Sequence, residues 1–282
     1  MSFLKKLIFI LVSNNTGWYF LRPFSRLGSL IFRVRNEVEA KRKVLADENL
    51  HETFFDTIFH ERKVLNGPFK GLQYPSYNSI GSTLYPKLLG SYEKELHEIL
   101  KSLSEIEFSE IINIGCGEGY YAIGLSLLLR KGRVLACDTD PDALLLCQKM
   151  AALNNVSDRF IFKNEFTALD LKNFEFTKRG LIICDCEGFE KNIFNTANLA
   201  NLKQCYLLIE THDFMDIEIS GFLIDLFSLT HDITIIQSLD DIQKAKRYQY
   251  EETRSFDLIT KKKLFGERRP AIMEWLYLIP IS

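Results

Sequence analysis

The 282-residue sequence contains no long apolar run. Its opening stretch, MSFLKKLIFILV, carries two lysines and the apolar segment LIFILV, six residues where a bilayer span needs about twenty. No small-residue cleavage site follows in SNNTGWYF, so a secretory leader is not expected. Paired C-x-x-C spacing is missing as well. The six cysteines, Cys116, Cys137, Cys147, Cys184, Cys186 and Cys205, lack an accompanying histidine pair, which excludes the usual zinc modules and leaves free thiols of a reducing compartment. Net charge is close to zero, at −2, which argues against an electrostatic nucleic-acid binder. A cytoplasmic chain without a nucleic-acid partner is expected.

What is present is ordinary globular material, 46% hydrophobic and 26% charged, enough for a sizeable core. The charge is unevenly placed. Up to Lys43 there are nine Lys/Arg against two acids, a net of +7, which leaves −9 for the remainder. Residues 1–50 interleave Phe, Leu, Ile and Trp with Arg and Lys. Such a segment either lies on an anionic membrane surface, as a peripheral contact at its inner face, or packs as helices on the body. Residues 51–90 are rich in Gly, Pro, Ser and Tyr, which predicts loops and short strands. The domain division expected is therefore 1–90 as an N-terminal extension and 91–282 as the main domain.

From residue 110 apolar strands alternate with helices. EIINI, RVLAC, RFIFK, GLIICD and CYLLIE read as strands buried on both faces, with helices between them, and DITIIQS and EWLYLIP follow. Alternation of this kind predicts an α/β fold, a seven-stranded, mostly parallel sheet with helices on both faces. The last two strands are joined by a long charged stretch, residues 239–270, without a clear helical face, so one of them is expected to run antiparallel near an edge and the stretch itself to be partly mobile.

Glycine, only 15 residues in all, is concentrated where the first strand stops: IINIGCGEGYYAIGL, residues 111–125, holds four. The first strand-to-helix turn of such a sheet faces the ligand crevice, and glycine lets the backbone approach a ligand closely. The spacing is Gly115-x-Gly117-x-Gly119, with Tyr120 where the dinucleotide fingerprint needs its third glycine, so a nicotinamide cofactor is disfavoured. Asp138, 19 residues beyond Gly119, closes the second strand, where a carboxylate accepts hydrogen bonds from ribose hydroxyls. Asp140, before Pro141, reads as a helix cap. Asp185, Glu187 and Glu190 follow the fourth strand, and Glu210 and His212 the fifth. Parallel topology opens both tips on the edge that carries the glycine turn. His212 is the natural base of this group, with Asp185 or Glu187 to orient it or hold a hydroxyl. Asp185, Glu187, Glu210 and His212 also form an oxygen-plus-imidazole donor set, but the spacing is not diagnostic and no metal is expected.

The glycine turn resembles motif I of class I S-adenosylmethionine-dependent methyltransferases. Four stretches resemble the FkbM-type family more narrowly: SYEKEL (91–96), INIGCGEGYYAIGL (112–125), LIICDCEGFE (181–190) and LLIETH (207–212). The resemblance covers about residues 85–237. It implies a Rossmann-like methyltransferase sheet, S-adenosyl-L-methionine as cofactor, and methylation of a hydroxyl on a sugar, glycan or other small metabolite. It further implies cofactor contacts from Glu93, Asn113 (where many relatives have an acid), Gly115, Gly117, Gly119, Tyr120, Asp138, Phe166 and Asp185, and catalysis by His212, Asp185, Glu187 and Glu210. A non-catalytic module of the same fold, docked to a membrane or partner through its N-terminus, is the alternative. The Asn-Pro-Pro-aromatic signature of many amino-methylating relatives is absent after the fourth strand, where DCEG stands.

Overall fold

The computed structural model describes residue 35 and residues 54–281. The chain divides into two compact units, Met1–Thr57 and Ile58–Ser282. The division lies well before residue 90, so the Gly/Pro/Tyr-rich stretch beyond residue 57 belongs to the second unit and not to an extension. The basic amphipathic segment 1–50 lies outside the described residues, apart from Arg35. Among the described residues no helix is long and apolar enough to cross a membrane.

The second unit is built on seven strands: β1 Glu110–Ile114, β2 Arg133–Cys137, β3 Phe160–Lys163, β4 Gly180–Cys184, β5 Tyr206–Thr211, β6 His231–Gln237 and β7 Glu274–Pro280. Their order across the sheet is β3-β2-β1-β4-β5-β7-β6. The first five run parallel. β7 is antiparallel to both neighbours, β5 and β6. Every residue of β1 and β4 is buried, as befits central strands; β4 is apolar throughout, while β1 also buries Glu110 and Asn113. β6, at the edge, is mostly exposed. One face of the sheet buries Ile112, Ile182 and Leu207 in a continuous core against Leu223 and Phe227.

The helices are α1 Leu84–Leu89, α2 His97–Leu103, α3 Tyr120–Leu129, α4 Pro141–Leu153, α5 Ala168–Asn173, α6 Glu190–Ile193, α7 Leu199–Leu202, α8 Ile219–Phe227, α9 Asp241–Arg247 and α10 Leu258–Phe265. α4 starts as the sequence requires, with Pro141 in the first turn and the Asp140 side chain accepting the N–H of Asp142 at 2.8 Å. The helix after β4 is a single turn. The stretch 239–270 forms helices: α9 and α10 pack on each other, and α10 on α1. Each has a side-chain cap, Asp240 accepting from Ile242 and Gln243, Asp257 from Thr260. The face α9 buries includes the ammonium stem of Lys244, which no apolar periodicity would mark.

Candidate active site

The ends of β1, β2, β4 and β5 open into a cavity of about 510 Å³. Parallel strands bring all four tips to one edge, so groups far apart in sequence meet there. The β1–α3 turn forms one wall. Gly115 has φ +71°, and a Cβ there would stand 1.6 Å from the carbonyl oxygen of Asp185. The tips of β1 and β4 therefore touch backbone to backbone, which only glycine permits. Gly119, at φ +103°, brings the start of α3 against α4, where a Cβ would meet Cys147 Sγ at 2.7 Å.

Asp138 holds this turn from the side. Its Oδ2 accepts the N–H of Gly117 at 2.7 Å and its Oδ1 the N–H of Asp140 at 2.9 Å. A carboxylate has about four acceptor sites, so lone pairs remain for a hydroxyl in the cavity. Phe166 and Tyr120 line the same space. Lys163 Nζ lies 5.4 Å from the Phe166 ring. Tyr120 is packed edge-on against Phe69 and Tyr92.

At the other end stands His212, on the residue after β5, only 3% exposed. Its Nδ1 lies 2.7 Å from Glu190 Oε1. That oxygen also accepts the N–H of Gly188 at 3.2 Å, so the imidazole is the donor in the pair and its proton sits on Nδ1. Nε2 points among Asp185 Oδ1 and Glu187 Oε2, each at 3.5 Å, and Glu210 Oε2 at 3.9 Å. Glu190, not Asp185 or Glu187, is thus the group that orients His212. Glu187 has φ +52° and precedes Gly188 at φ +91°. That turn leaves the Glu187 carboxylate 67% exposed at the mouth. Burial lowers the proton affinity of His212, but Glu190, Asp185 and Glu187 outweigh it and the net shift is upward. Burial raises the Asp185 carboxyl, with His212 opposing and Glu187 adding. Glu210 is pushed well above the usual range by burial and by Asp185, against the pull of Arg269.

Two of the residues expected at the cofactor lie off the cavity wall. Asn113 lies inside the sheet, paired in register with Ala136 and Ile183, and is not part of the cavity wall. Its neighbour Ile114 reaches the wall; alternation along the strand sends Asn113 to the opposite face, where its Oδ1 has no partner. Glu93 is also off the wall. Its carboxylate accepts the Tyr121 hydroxyl and the Arg269 guanidinium. Burial, opposed by Arg269, raises Glu93 from 4.5 to about 7.

Arg269 carries no sequence signal and turns out to organise the cavity floor. It bonds Glu93, Glu210 and Glu267, the last at 2.8 Å. Glu267 is paired in turn with the buried Lys244. Burial would raise Glu267, yet Lys244 and Arg269 hold it below the ordinary value. Glu118, inside the glycine motif, is equally unforeseen. It is buried and accepts Lys87 at 2.5 Å, Ser79 at 2.9 Å and the N–H of Ile80 at 3.2 Å, pinning residues 79–87 across the mouth.

Comparison with known proteins bears on this site. A family model described as ribosomal protein L11 methyltransferase (PrmA) matches residues 96–185, from α2 to the tip of β4. The release factor glutamine methyltransferase of Deinococcus radiodurans is 33% identical over 66 residues, 23% of this chain and 24% of that protein. The enzyme of the same description from Flavobacterium psychrophilum is 40% identical over 74 residues, 26% of each. The chain spans about a quarter of the length of these curated relatives. An rRNA methylase structure from Streptococcus thermophilus aligns over 67% of this chain and 97% of its own, with 12% identity and a TM-score of 0.44. The strand order, with β7 antiparallel beside the edge, is that of the Rossmann-like methyltransferase sheet.

Proposed function

We propose that this chain is an S-adenosylmethionine-dependent methyltransferase of the FkbM type that methylates a hydroxyl of a sugar, glycan or other small metabolite. One observation carries the reading: a single cavity has the bare glycine turn and Asp138 at one end and the His212 carboxylate cluster at the other. Its volume falls in the range of about 300–1,000 Å³ typical of metabolite sites. The residues present fit the cofactor. Gly115 and Gly117 offer backbone without side chains, Asp138 keeps acceptor capacity for ribose hydroxyls, and Phe166 offers an apolar face for a purine. The sulfonium supplies an electrophilic methyl carbon when bound.

The protein's own share of the reaction is positioning and proton removal. Glu190 fixes the His212 ring so that Nε2, the basic atom, faces the cavity. Asp185 and Glu187 flank the place where a hydroxyl would sit. DCEGFE at the β4 tip and LLIETH along β5 and just past it support the FkbM-type assignment, since Asp185, Glu187, Glu190, Glu210 and His212 all come from these two stretches. Hydroxyl over amide nitrogen is favoured by Asp185-Cys186-Glu187-Gly188 standing where amino-methylating enzymes carry their Asn-Pro-Pro-aromatic run.

Isothermal calorimetry with S-adenosylhomocysteine tests this. Binding in the micromolar range is expected, abolished by Gly117→Arg. Asp138→Ala removes charged hydrogen bonds of about 1.5–3 kcal/mol and should weaken binding roughly tenfold to hundredfold. His212→Ala should cut turnover by about 10²–10⁴. A folded wild-type protein that binds no S-adenosylhomocysteine would end the proposal.

A further inference from the structure

The cluster around His212 has a charge problem. Asp185 and Glu187 form no ion pair with any lysine or arginine among the described residues, whereas Glu210 has Arg269. Their nearest cationic neighbour would be His212 itself, Arg269 acting on Asp185 without pairing with it. Its Nδ1–H is committed to Glu190, which leaves the Nε2 lone pair directed at carboxylate oxygens. Lone pairs facing one another at close range repel unless something positive stands between them.

A proton on Nε2 would ask for a hydrogen bond. The separations, 3.5, 3.5 and 3.9 Å, are too long for one. Asp185 Oδ1 is shielded from solvent and accepts no hydrogen bond at all. An ion resolves both facts. Ligand atoms about 2.0–2.1 Å from Mg²⁺ stand about 2.8–3.0 Å apart when adjacent and about 4.0–4.2 Å when opposite, so the 3.5 Å separations would close by about half an ångström around the ion. Asp185, Glu187 and His212 each present one donor atom, all within 4.8 Å of one another. Behind the imidazole, Glu190 completes the carboxylate–histidine arrangement that fixes a ligating ring and raises its basicity.

We infer that Asp185, Glu187 and His212 Nε2 form a binding site for a divalent cation of the Mg²⁺/Mn²⁺ class, oriented from behind by Glu190. The two hard carboxylates suit these ions, with the imidazole as a softer third donor. Three protein donors leave about half of an octahedral shell open towards the cavity. The site itself is independent of the cofactor. Its use rests on the methyl-transfer reading: an acceptor hydroxyl in an open position would be acidified by the ion and would lose its proton to water at the exposed mouth, its oxygen taking the methyl as the C–S bond breaks and that electron pair stays on sulfur, while His212 serves as a ligand in place of the base role it has without the ion.

The test uses the full chain stripped with chelator and titrated with Mn²⁺, the free ion being followed by electron paramagnetic resonance. One Mn²⁺ per chain is expected, displaced by Mg²⁺. Glu187→Gln alters an exposed side chain and should leave folding intact while raising the Mn²⁺ dissociation constant at least about tenfold; Glu190→Gln, which touches no ion, should raise it about 10–100-fold. Absence of stoichiometric Mn²⁺ binding would overturn the inference, as would affinity unchanged in both variants. Calorimetry with S-adenosylhomocysteine on the stripped protein separates the two readings. Cofactor binding without Mn²⁺ binding defeats only the ion site, and the converse defeats only the methyl-transfer reading.

Discussion

Replacing Arg269 by methionine keeps much of the side-chain volume and removes the charge that three buried carboxylates share. Glu267 retains Lys244, but Glu93 and Glu210 lose the guanidinium that bonds them both. Removing one partner of a buried ion pair costs about 3–5 kcal/mol. For a chain of this size that is a fall in Tm of roughly 6–20 °C. The cost should depend on pH in a fixed direction. In the wild type Glu93 has its folded pKa raised from 4.5 to about 7. A carboxyl so shifted binds more protons folded than unfolded, so its stabilising contribution is full below pH 4.5 and is lost as pH rises through about 7. Without Arg269, which opposes the upward shift of both Glu93 and Glu210, the window extends to higher pH. Urea unfolding near about pH 8 should show the full penalty. Near about pH 5.5, where both carboxyls take up protons, less than half of it should remain. A variant within about 1 kcal/mol of wild type at the higher pH, or an equal loss at both, would refute the reasoning.

Two further substitutions probe the turn and the mouth of the cavity. Gly115→Ala places a methyl group 1.6 Å from the Asp185 carbonyl and holds an L-residue at φ +71°, so urea unfolding should show a loss of about 2–5 kcal/mol, the sum of left-handed strain and overpacking. Lys87→Met leaves Glu118 buried with only neutral donors, a loss of about 3–5 kcal/mol that Glu118→Gln in the same chain should largely restore; a double variant no better than Lys87→Met would show that the pair's charge is not the cause.

The fold was legible because central parallel strands must be apolar on both faces. EIINI, RVLAC, GLIIC and CYLLIE announce themselves, and the seven-strand sheet with its antiparallel member follows. The reason given for that member needs amendment. The connection before β7 does contain helices, but α9 and α10 pack on each other instead of bridging two parallel strands. They escaped notice because α9 buries a lysine where a periodic pattern would show an apolar side chain. In the site, Asp138, Asp185, Glu187, Glu210 and His212 were legible because strand tips of one parallel sheet share an edge. Phe166 and Tyr120 also reach the wall. Asn113 and Glu93 stand off the wall for different reasons: strand alternation turns the first away, and Arg269 with Tyr121 occupies the second. Long-range pairings such as Arg269 with Glu93, 176 positions apart, leave no trace in local pattern.

The place of β7 has a consequence for how the chain is assembled. The last of the seven strands in sequence is inserted between β5 and β6, with Leu276 and Leu278 fully buried. Until residues 274–280 have been synthesised, β5 presents a bare hydrogen-bonding edge and β6 has no neighbour in the sheet. An open apolar edge of that kind invites pairing with another nascent copy. Completion of the sheet must therefore follow release of its final strand, and any shortened product lacking that strand should aggregate during synthesis instead of accumulating as a smaller folded domain.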